Sequence, residues 1–440
     1  MTMKYVIIGG DAAGMSAAMQ IVRRNKDADV TTLEMGEYYS YAQCGLPYAV
    51  GGLVKGGLDD LVARDVETFR SKYGIDARVN HEVTHVDTEK KLVSGKDFSV
   101  PYDKLLIATG ASPIVPDWDG ADLDGIHTVK TIPDTEAVIK DMHNDTHHIA
   151  VIGGGYIGLE MAENFVEQGK KVTMIERGPQ LAGIFDQEMA NLIHEEAEKH
   201  GVKLLFNEEV KGFKGDSRVE EIVTDKQSFK VDMVIVAIGV KPNTHFLEDC
   251  GVHLHENGAI QVNGYMETNI PDVYAAGDCA TQYHRIKEHD DFIPLGTHAN
   301  KQGRIAGLNM AGDSRTFKGI VGTSIMKFFS LTLGRTGLSL REAEELRIPT
   351  EIVDAEIPHH ATYYPGSEIL TIRLMYQRHT EQLLGAQIIG KEGVDKRIDV
   401  LATALYHKMT MEDLENLDLA YAPPYNGVWD PIQQASRRRG

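Results

Sequence analysis

At 440 residues the chain is long for a single hydrophobic core, so two or three domains are expected. Its apolar and charged fractions, 42% and 25%, are those of a globular protein and exclude general disorder. The formal charge of −20 excludes a broad nucleic-acid-binding surface, which needs net basic protein, and any anionic ligand must be held by local cations or amides.

No apolar run approaches the roughly 18 to 20 residues of a membrane span. The first apolar stretch, Tyr5 to Ile8, is too short for the core of a signal peptide. A cytoplasmic protein with no membrane partner is expected. The three cysteines, Cys44, Cys250 and Cys279, are far apart and odd in number, which is neither a disulfide framework nor a zinc spacing. The histidine pairs at 147–148 and 359–360 are adjacent rather than helically spaced, and no metal is assigned.

The chain opens KYVIIGGDAAGMSAAMQIVRR, which reads as a strand, a glycine turn and a helix. Gly9 and Gly14 take the first and last glycine positions of a dinucleotide fingerprint, and VTTLE then ends a second strand at Glu34, where a ribose-binding acid is expected. Asp11 holds the middle glycine position, and its carboxylate would repel a pyrophosphate unless the side chain turns away. Alone, such a turn also serves packing in many α/β proteins.

Next comes SYAQCGLPYAVGG, with Cys44 ahead of a short helix whose first turn suits Pro47. A thiol at a helix N-terminus is expected to favour thiolate, although a packing cysteine is the alternative. YDKLLIATG then ends a strand at Thr109 and Gly110. The second fingerprint, HIAVIGGGYIGLEMAENFVEQGKKVTMIE, places Gly153, Gly155 and Gly158 in register and closes on Glu176, and VDMVIVAIG ends at Gly239. Two fingerprints imply two dinucleotides, and the repeat is one of whole domains. NIPDVYAAGDCA puts Asp278 after a short strand, at the expected start of a helix, where it could bond a ligand hydroxyl or simply cap the helix. Arg437 to Arg439 read as a frayed tail.

This ordered set of motifs resembles the pyridine nucleotide-disulfide oxidoreductase family over the whole chain. The resemblance implies an α/β fold of two Rossmann-like dinucleotide-binding domains, for FAD and NAD(P)H, plus a C-terminal α+β dimerisation domain. The expected boundaries are 1–115 and 245–320 for the FAD domain, 116–244 for the NAD(P)H domain, and 321–440 for the domain that makes a homodimer. Asp278 would then meet the flavin ribityl chain, Tyr156 would cover the flavin until nicotinamide displaces it, and Glu160 would orient the nicotinamide. Glu176 favours NADH by bonding an adenosine ribose, while Arg177 beside it could admit NADPH, so both are carried.

Position 49 is Ala49, so no CxxxxC disulfide can form. SYxxCGxPY instead resembles the single-cysteine branch, which holds coenzyme A-disulfide reductases, persulfide reductases, NADH oxidases and NADH peroxidases. Ala12 stands where the oxidases and peroxidases carry a histidine. HATYYPG and AYAPPY resemble tyrosine motifs of the coenzyme A-disulfide reductases, in which two tyrosines reach the partner's cysteine. The catalytic set is therefore Cys44, Tyr363 and Tyr421 with Tyr425, for which interface packing stands as an equal reading. Ser16, Gln20 and Arg23 share one helix face. With Ser40, Tyr41, Gln43 and Lys72, the resemblance makes them the coenzyme A site, although Arg23 reads equally as a solvated helix-end charge.

The expected reaction is NAD(P)H-dependent reduction of coenzyme A disulfide through a Cys44–CoA mixed disulfide. Persulfide or polysulfide reduction, NADH oxidation and a non-catalytic flavin sensor are the alternatives. Fused persulfide reductases carry a rhodanese domain that this sequence does not include, which ranks coenzyme A disulfide first. Lys396 and Arg397 are expected at an interface or in solvent.

Overall fold

Apolar strands entering glycine turns build two parallel five-stranded sheets of the same design in the computed structural model, which describes residues 2–142 and 145–439. In the first sheet the strands run Val273–Ala275, Lys104–Ile107, Lys4–Ile8, Asp29–Leu33, Asp76–Arg78. In the second they run Lys203–Phe206, Lys171–Glu176, His148–Ile152, Met233–Val236, Ile126–His127. All pairings in both sheets are parallel. The central strands KYVII and HIAVI are buried along nearly their whole length, as a sheet covered on both faces requires.

The glycines explain why the turns repeat. Gly9 and Gly153 have φ of 112° and 101°, a conformation that glycine alone adopts without strain. A Cβ on Gly14 would lie 2.0 Å from the Gly9 carbonyl oxygen, and one on Gly158 would lie 2.0 Å from that of Gly153. Each helix, Ala12–Arg24 and Tyr156–Glu167, can therefore start against its strand only because both partners are glycine.

The chain returns to the first sheet through Val273–Ala275, which pairs with Lys104–Ile107. The helix Gly296–Met310 then packs on the first helix, with Gly303 and Gly307 set so close to the backbone of Ala13 and Ala17 that a side chain would clash. Beyond it, an antiparallel sheet runs Ser324–Phe328, Leu331–Gly337, Leu383–Gly390, Ile369–Gln377, Thr350–Pro358, and the amphipathic helix Val394–Tyr406 covers it. The fold is thus α/β, with two Rossmann-like units and a C-terminal α+β domain.

Helix Gln187–Lys199 of the second unit is fastened to this antiparallel domain. Asp186 accepts from the Leu340 amide at 2.9 Å and pairs with Arg373 at 3.3 Å, and Glu188 pairs with Arg373 at 2.7 Å. Glu196 accepts from the amide and hydroxyl of Ser330. Glu163 pairs with Lys327.

Two expectations fail. Asp278 lies in a turn, not at a helix start, because the hairpin of Gln282–His284 and His289–Asp291 intervenes before the next helix. The C-terminal arginines are not frayed: helix Pro431–Ser436 docks the segment, and Arg439 pairs with Glu381 at 2.9 Å and Glu415 at 2.8 Å. Among the described residues no helix is long and apolar enough to cross a membrane.

Candidate active site

The two glycine turns present matching cradles. Glu34 accepts from the amides of Gly10 and Gly36 at 2.7 and 2.8 Å, and Glu176 accepts from those of Gly154 and Gly178 at 2.8 and 2.7 Å. Each acid is thereby fixed at the carboxyl end of its strand, beside a helix N-terminus. Neither helix has a side-chain cap, so the first-turn amides and the positive end of the helix are available to an anion. A Cβ at Gly155 would meet nothing within 4 Å, which is the open space a pyrophosphate needs.

Asp11, the N-cap residue of the first helix, resolves the repulsion problem by turning away. Its carboxylate accepts from the Tyr41 amide at 3.2 Å and the Gln43 side-chain amide at 2.7 Å. Gly110 and Gly239 both adopt positive φ, and the Thr109 hydroxyl donates to the Asn243 carbonyl at 2.7 Å, closing the loops at the two strand ends. Asp278 pairs with Lys130 at 3.2 Å, and both are largely shielded from solvent. Lys130 was missed in the sequence because it comes from the connection between domains, where no motif marks it. These cradles fit a dinucleotide in each unit.

Cys44 lies in a single turn of 3-10 helix, Gln43–Gly45, leading into the five-residue helix Leu46–Val50. It is the exposed cysteine; Cys250 is half-buried and Cys279 is buried. The expected thiolate bias is reversed. Partial burial of the sulfur pushes the thiol up, and Glu160, Asp278 and Asp11 add to this while Lys130 opposes it. Burial is the largest of these effects.

Burial also raises Glu160, to about 7, with Glu163 adding to the shift; the Tyr48 hydroxyl, which donates to it at 3.4 Å, works the other way. The Tyr156 hydroxyl donates to that of Ser324 on the antiparallel sheet at 2.5 Å.

Of the proposed coenzyme A face, Ser16 and Gln20 are half-buried and Arg23 is exposed, while the intervening apolar positions of the helix are buried. The Ser16 hydroxyl donates to Asn300 at 2.8 Å, so Asn300, which the sequence reading did not single out, belongs to this face. Ser40 has φ of 48° and donates its amide to the Gly10 carbonyl at 2.9 Å, bringing Tyr41 and Gln43 over the glycine turn. Lys72 lies on the helix Val66–Tyr73, with its ammonium 5.5 Å from the centroid of the Tyr73 ring.

The tyrosines gather on the far domain. Tyr363 and Tyr421 share a hydroxyl–hydroxyl hydrogen bond of 3.2 Å and are exposed by 75% and 47%. The backbone carbonyl of Tyr425, a residue 72% exposed, accepts from Lys396 at 2.9 Å. Among the described residues no hydrogen bond joins these tyrosines to the Cys44 turn of the same chain.

Arg397 organises the two tyrosine loops. It is 1% exposed, contrary to the expected surface role, and pairs with Asp430 at 3.1 Å. It also donates to the Gly393 and His359 carbonyls at 2.8 Å and to Asn426 at 3.1 Å. An interior cation with this many acceptors ties the residues before Tyr363 to those after Tyr425.

Residues 3–303 match the family model described as pyridine nucleotide-disulphide oxidoreductase, and residues 323–431 match the dimerisation domain of the same family. The chain belongs to this family and is a flavin-dependent oxidoreductase. It is 42% identical over 438 residues to an NAD(P)H sulfur oxidoreductase (CoA-dependent) of Pyrococcus abyssi, covering 98% of this chain and 97% of the relative. It is 34% identical over 440 residues to coenzyme A disulfide reductase of Staphylococcus aureus, covering 98% of each chain. An NAD-dependent persulfide reductase from A. fulgidus has the same fold, with a TM-score of 0.96 and 36% identity, over 99% of this chain and 82% of that one. The fold thus defines an NAD(P)H-dependent disulfide oxidoreductase of the group that contains coenzyme A-disulfide reductases and NADH oxidases.

Proposed function

We propose that the protein is an NAD(P)H-dependent, coenzyme A-linked persulfide or polysulfide reductase working through Cys44 as a homodimer in the cytoplasm. The observation that carries this reading is full-length similarity at 42% identity to a CoA-dependent sulfur oxidoreductase. That similarity exceeds the 34% to the coenzyme A-disulfide reductase and reverses the order expected from the sequence, so disulfide reduction becomes the second reading.

FAD, when bound, would supply two-electron chemistry between nicotinamide and the sulfur at Cys44. The first glycine turn with Glu34, Thr109, Gly110, Asp278 and Lys130 would hold it. Gly153, Gly155, Gly158, Glu176 and Gly239 would hold the nicotinamide dinucleotide, with Glu160 orienting the nicotinamide and Tyr156 covering the flavin until nicotinamide displaces it.

Ser16, Gln20, Arg23, Ser40, Tyr41, Gln43 and Asn300 hold the coenzyme A part at the exposed mouth. Lys72 joins them as a further cation for the coenzyme A phosphates. The Cys44 thiolate attacks the inner, carbon-bound sulfur of a coenzyme A persulfide, forming a Cys44–CoA disulfide and expelling hydrosulfide. An electron pair then cleaves that disulfide, regenerating the Cys44 thiolate and releasing coenzyme A thiolate, which takes a proton. With coenzyme A disulfide the same mixed disulfide forms and a second coenzyme A leaves instead. Tyr363 and Tyr421 of the partner subunit would supply the proton to the leaving sulfur, and Tyr425 would pack beside them.

The test compares NAD(P)H oxidation with coenzyme A persulfide, polysulfide and coenzyme A disulfide, with hydrosulfide measured in parallel. Stoichiometric hydrosulfide release, a higher kcat/KM for the persulfide than for the disulfide, and loss of turnover in Cys44→Ser are expected. Faster turnover of the disulfide would install the second reading. Undiminished turnover in Cys44→Ser would remove both.

A further inference from the structure

We propose that Asp11 is a positioning residue that struts the redox turn against the first glycine loop and fixes Cys44 at the mouth of the site. The proposal rests on the reading of Cys44 as the redox thiol. Asp11 holds the fingerprint position that Gly155 occupies in the second unit. An aspartate at a helix N-cap ordinarily accepts from the helix's own amides, yet this one does not. Both of its acceptor bonds go instead to the turn that carries the cysteine, from the Tyr41 amide at 3.2 Å and the Gln43 side chain at 2.7 Å.

The geometry gives Asp11 two effects at once. It leaves the helix N-terminus free for a pyrophosphate, and it clamps the residues on the N-terminal side of Cys44. The adjoining bond from the Ser40 amide to the Gly10 carbonyl, 2.9 Å, holds a residue whose φ of 48° is unfavourable for a side-chain-bearing amino acid. A strained turn of this kind persists only when the surrounding bonds over-determine it. A carboxylate can only accept, so the Gln43 amide nitrogen must face Asp11 and its carbonyl oxygen faces away. Gln43 is in this way presented to the coenzyme A part of the site in a single orientation.

The test uses the flavin-loaded, reduced dimer of Asp11→Gly, Asp11→Asn and wild type. It measures kcat and KM with coenzyme A persulfide, the rate of Cys44 alkylation by iodoacetamide read by mass spectrometry, and flavin per chain. Released from the strut, Asp11→Gly should lose on the order of tenfold or more in kcat, because a displacement of about 1 Å can cost a hundredfold. Its Cys44 should alkylate faster, since the turn has opened. Asparagine can keep both bonds once the Gln43 amide flips, so Asp11→Asn should stay within about twofold of wild type by the same measure.

The proposal is overturned if Asp11→Gly matches wild type in both readouts, or if Asp11→Asn is as impaired as Asp11→Gly. Should Asp11→Gly fail to retain flavin, Gln43→Leu cuts the strut from its other end. It must then give the same opposed shift, and unchanged alkylation in it would refute the strut. Turnover that survives in Cys44→Ser would instead mark a failure of the functional reading beneath the proposal.

Discussion

Asp430→Asn tests whether the Arg397 hub sets the local stability of the tyrosine loops. The substitution keeps the shape of the side chain and a cap for Pro431–Ser436, but leaves a guanidinium that is 1% exposed without its counter-ion. Breaking a buried ion pair from one side costs about 3 to 5 kcal/mol. Three neutral acceptors remain on Arg397, from Gly393, His359 and Asn426, so the lower end, about 3 kcal/mol, is expected. At about 1.4 kcal/mol per factor of ten, that corresponds to a fall of roughly 150-fold in hydrogen-exchange protection. The amides to follow are those of Ile398, Leu401 and Leu405 on the helix that carries Arg397. Exchange read by mass spectrometry on the intact dimer isolates this helix from the glycine-loop domains, whose protection should not change. Replacing the pair by Arg397→Met with Asp430→Leu should restore most of the loss, short of about 1 kcal/mol for the missing cap. A change below threefold in the single variant, or no recovery in the double, would refute the reasoning.

The same style of argument fixes other outcomes. Burial opposes the charge on Glu342, but the Arg335 guanidinium and the Lys287 ammonium hold it down at about 2, below the unfolded carboxyl. Its contribution is complete above the unfolded pKa near 4.3 and is lost as pH falls toward about 2, so Glu342→Gln should flatten the decline of Tm in that window. His284, kept neutral chiefly by burial, has its pKa lowered to about 4; the unfolded chain binds that proton first, so stability falls between about pH 6.5 and 4, and His284→Gln should remove that slope. Gly158→Ala would set a methyl 2.0 Å from the Gly153 carbonyl, so flavin should be retained while anaerobic reduction by NADH fails and reduction by dithionite succeeds. Tyr421→Phe removes one hydroxyl of the 3.2 Å pair and should lower kcat by at least about tenfold at unchanged Tm, with the Tyr363→Phe, Tyr421→Phe double variant no worse than either single.

The glycine loops were legible because backbone sterics leave no alternative: Gly9 and Gly153 need positive φ, and Gly14 and Gly158 need the missing Cβ. The apolar strands entering them could be read for the same reason, since a sheet covered on both faces admits little else. The thiol's electrostatics could not be read. Glu160 lies more than a hundred residues from Cys44 in sequence, and only the packing of two domains brings its charge to bear. Arg397 misled in the same way, because a lone arginine in an amphipathic helix ordinarily faces solvent. Nothing local announces that Asp430, Asn426 and two carbonyls converge on it. Asp278 was placed on a helix because the hairpin after it is too short and polar to leave a periodic signal.

The bonds that fasten the second glycine-turn unit to the antiparallel domain determine which part of the molecule can move fast. Rotating that unit would rupture the Asp186 and Glu188 pairs to Arg373, the Glu196 bonds to Ser330 and the Glu163 pair to Lys327 together. Swinging the Tyr156 ring requires the loss of one hydroxyl bond to Ser324 and rotation about two side-chain torsions. Rotamer changes run many decades faster than hinge motions, which occupy microseconds to milliseconds. The Tyr156 ring can therefore turn while the second unit stays fixed. A crosslink that held the two domains together would leave that ring motion in place.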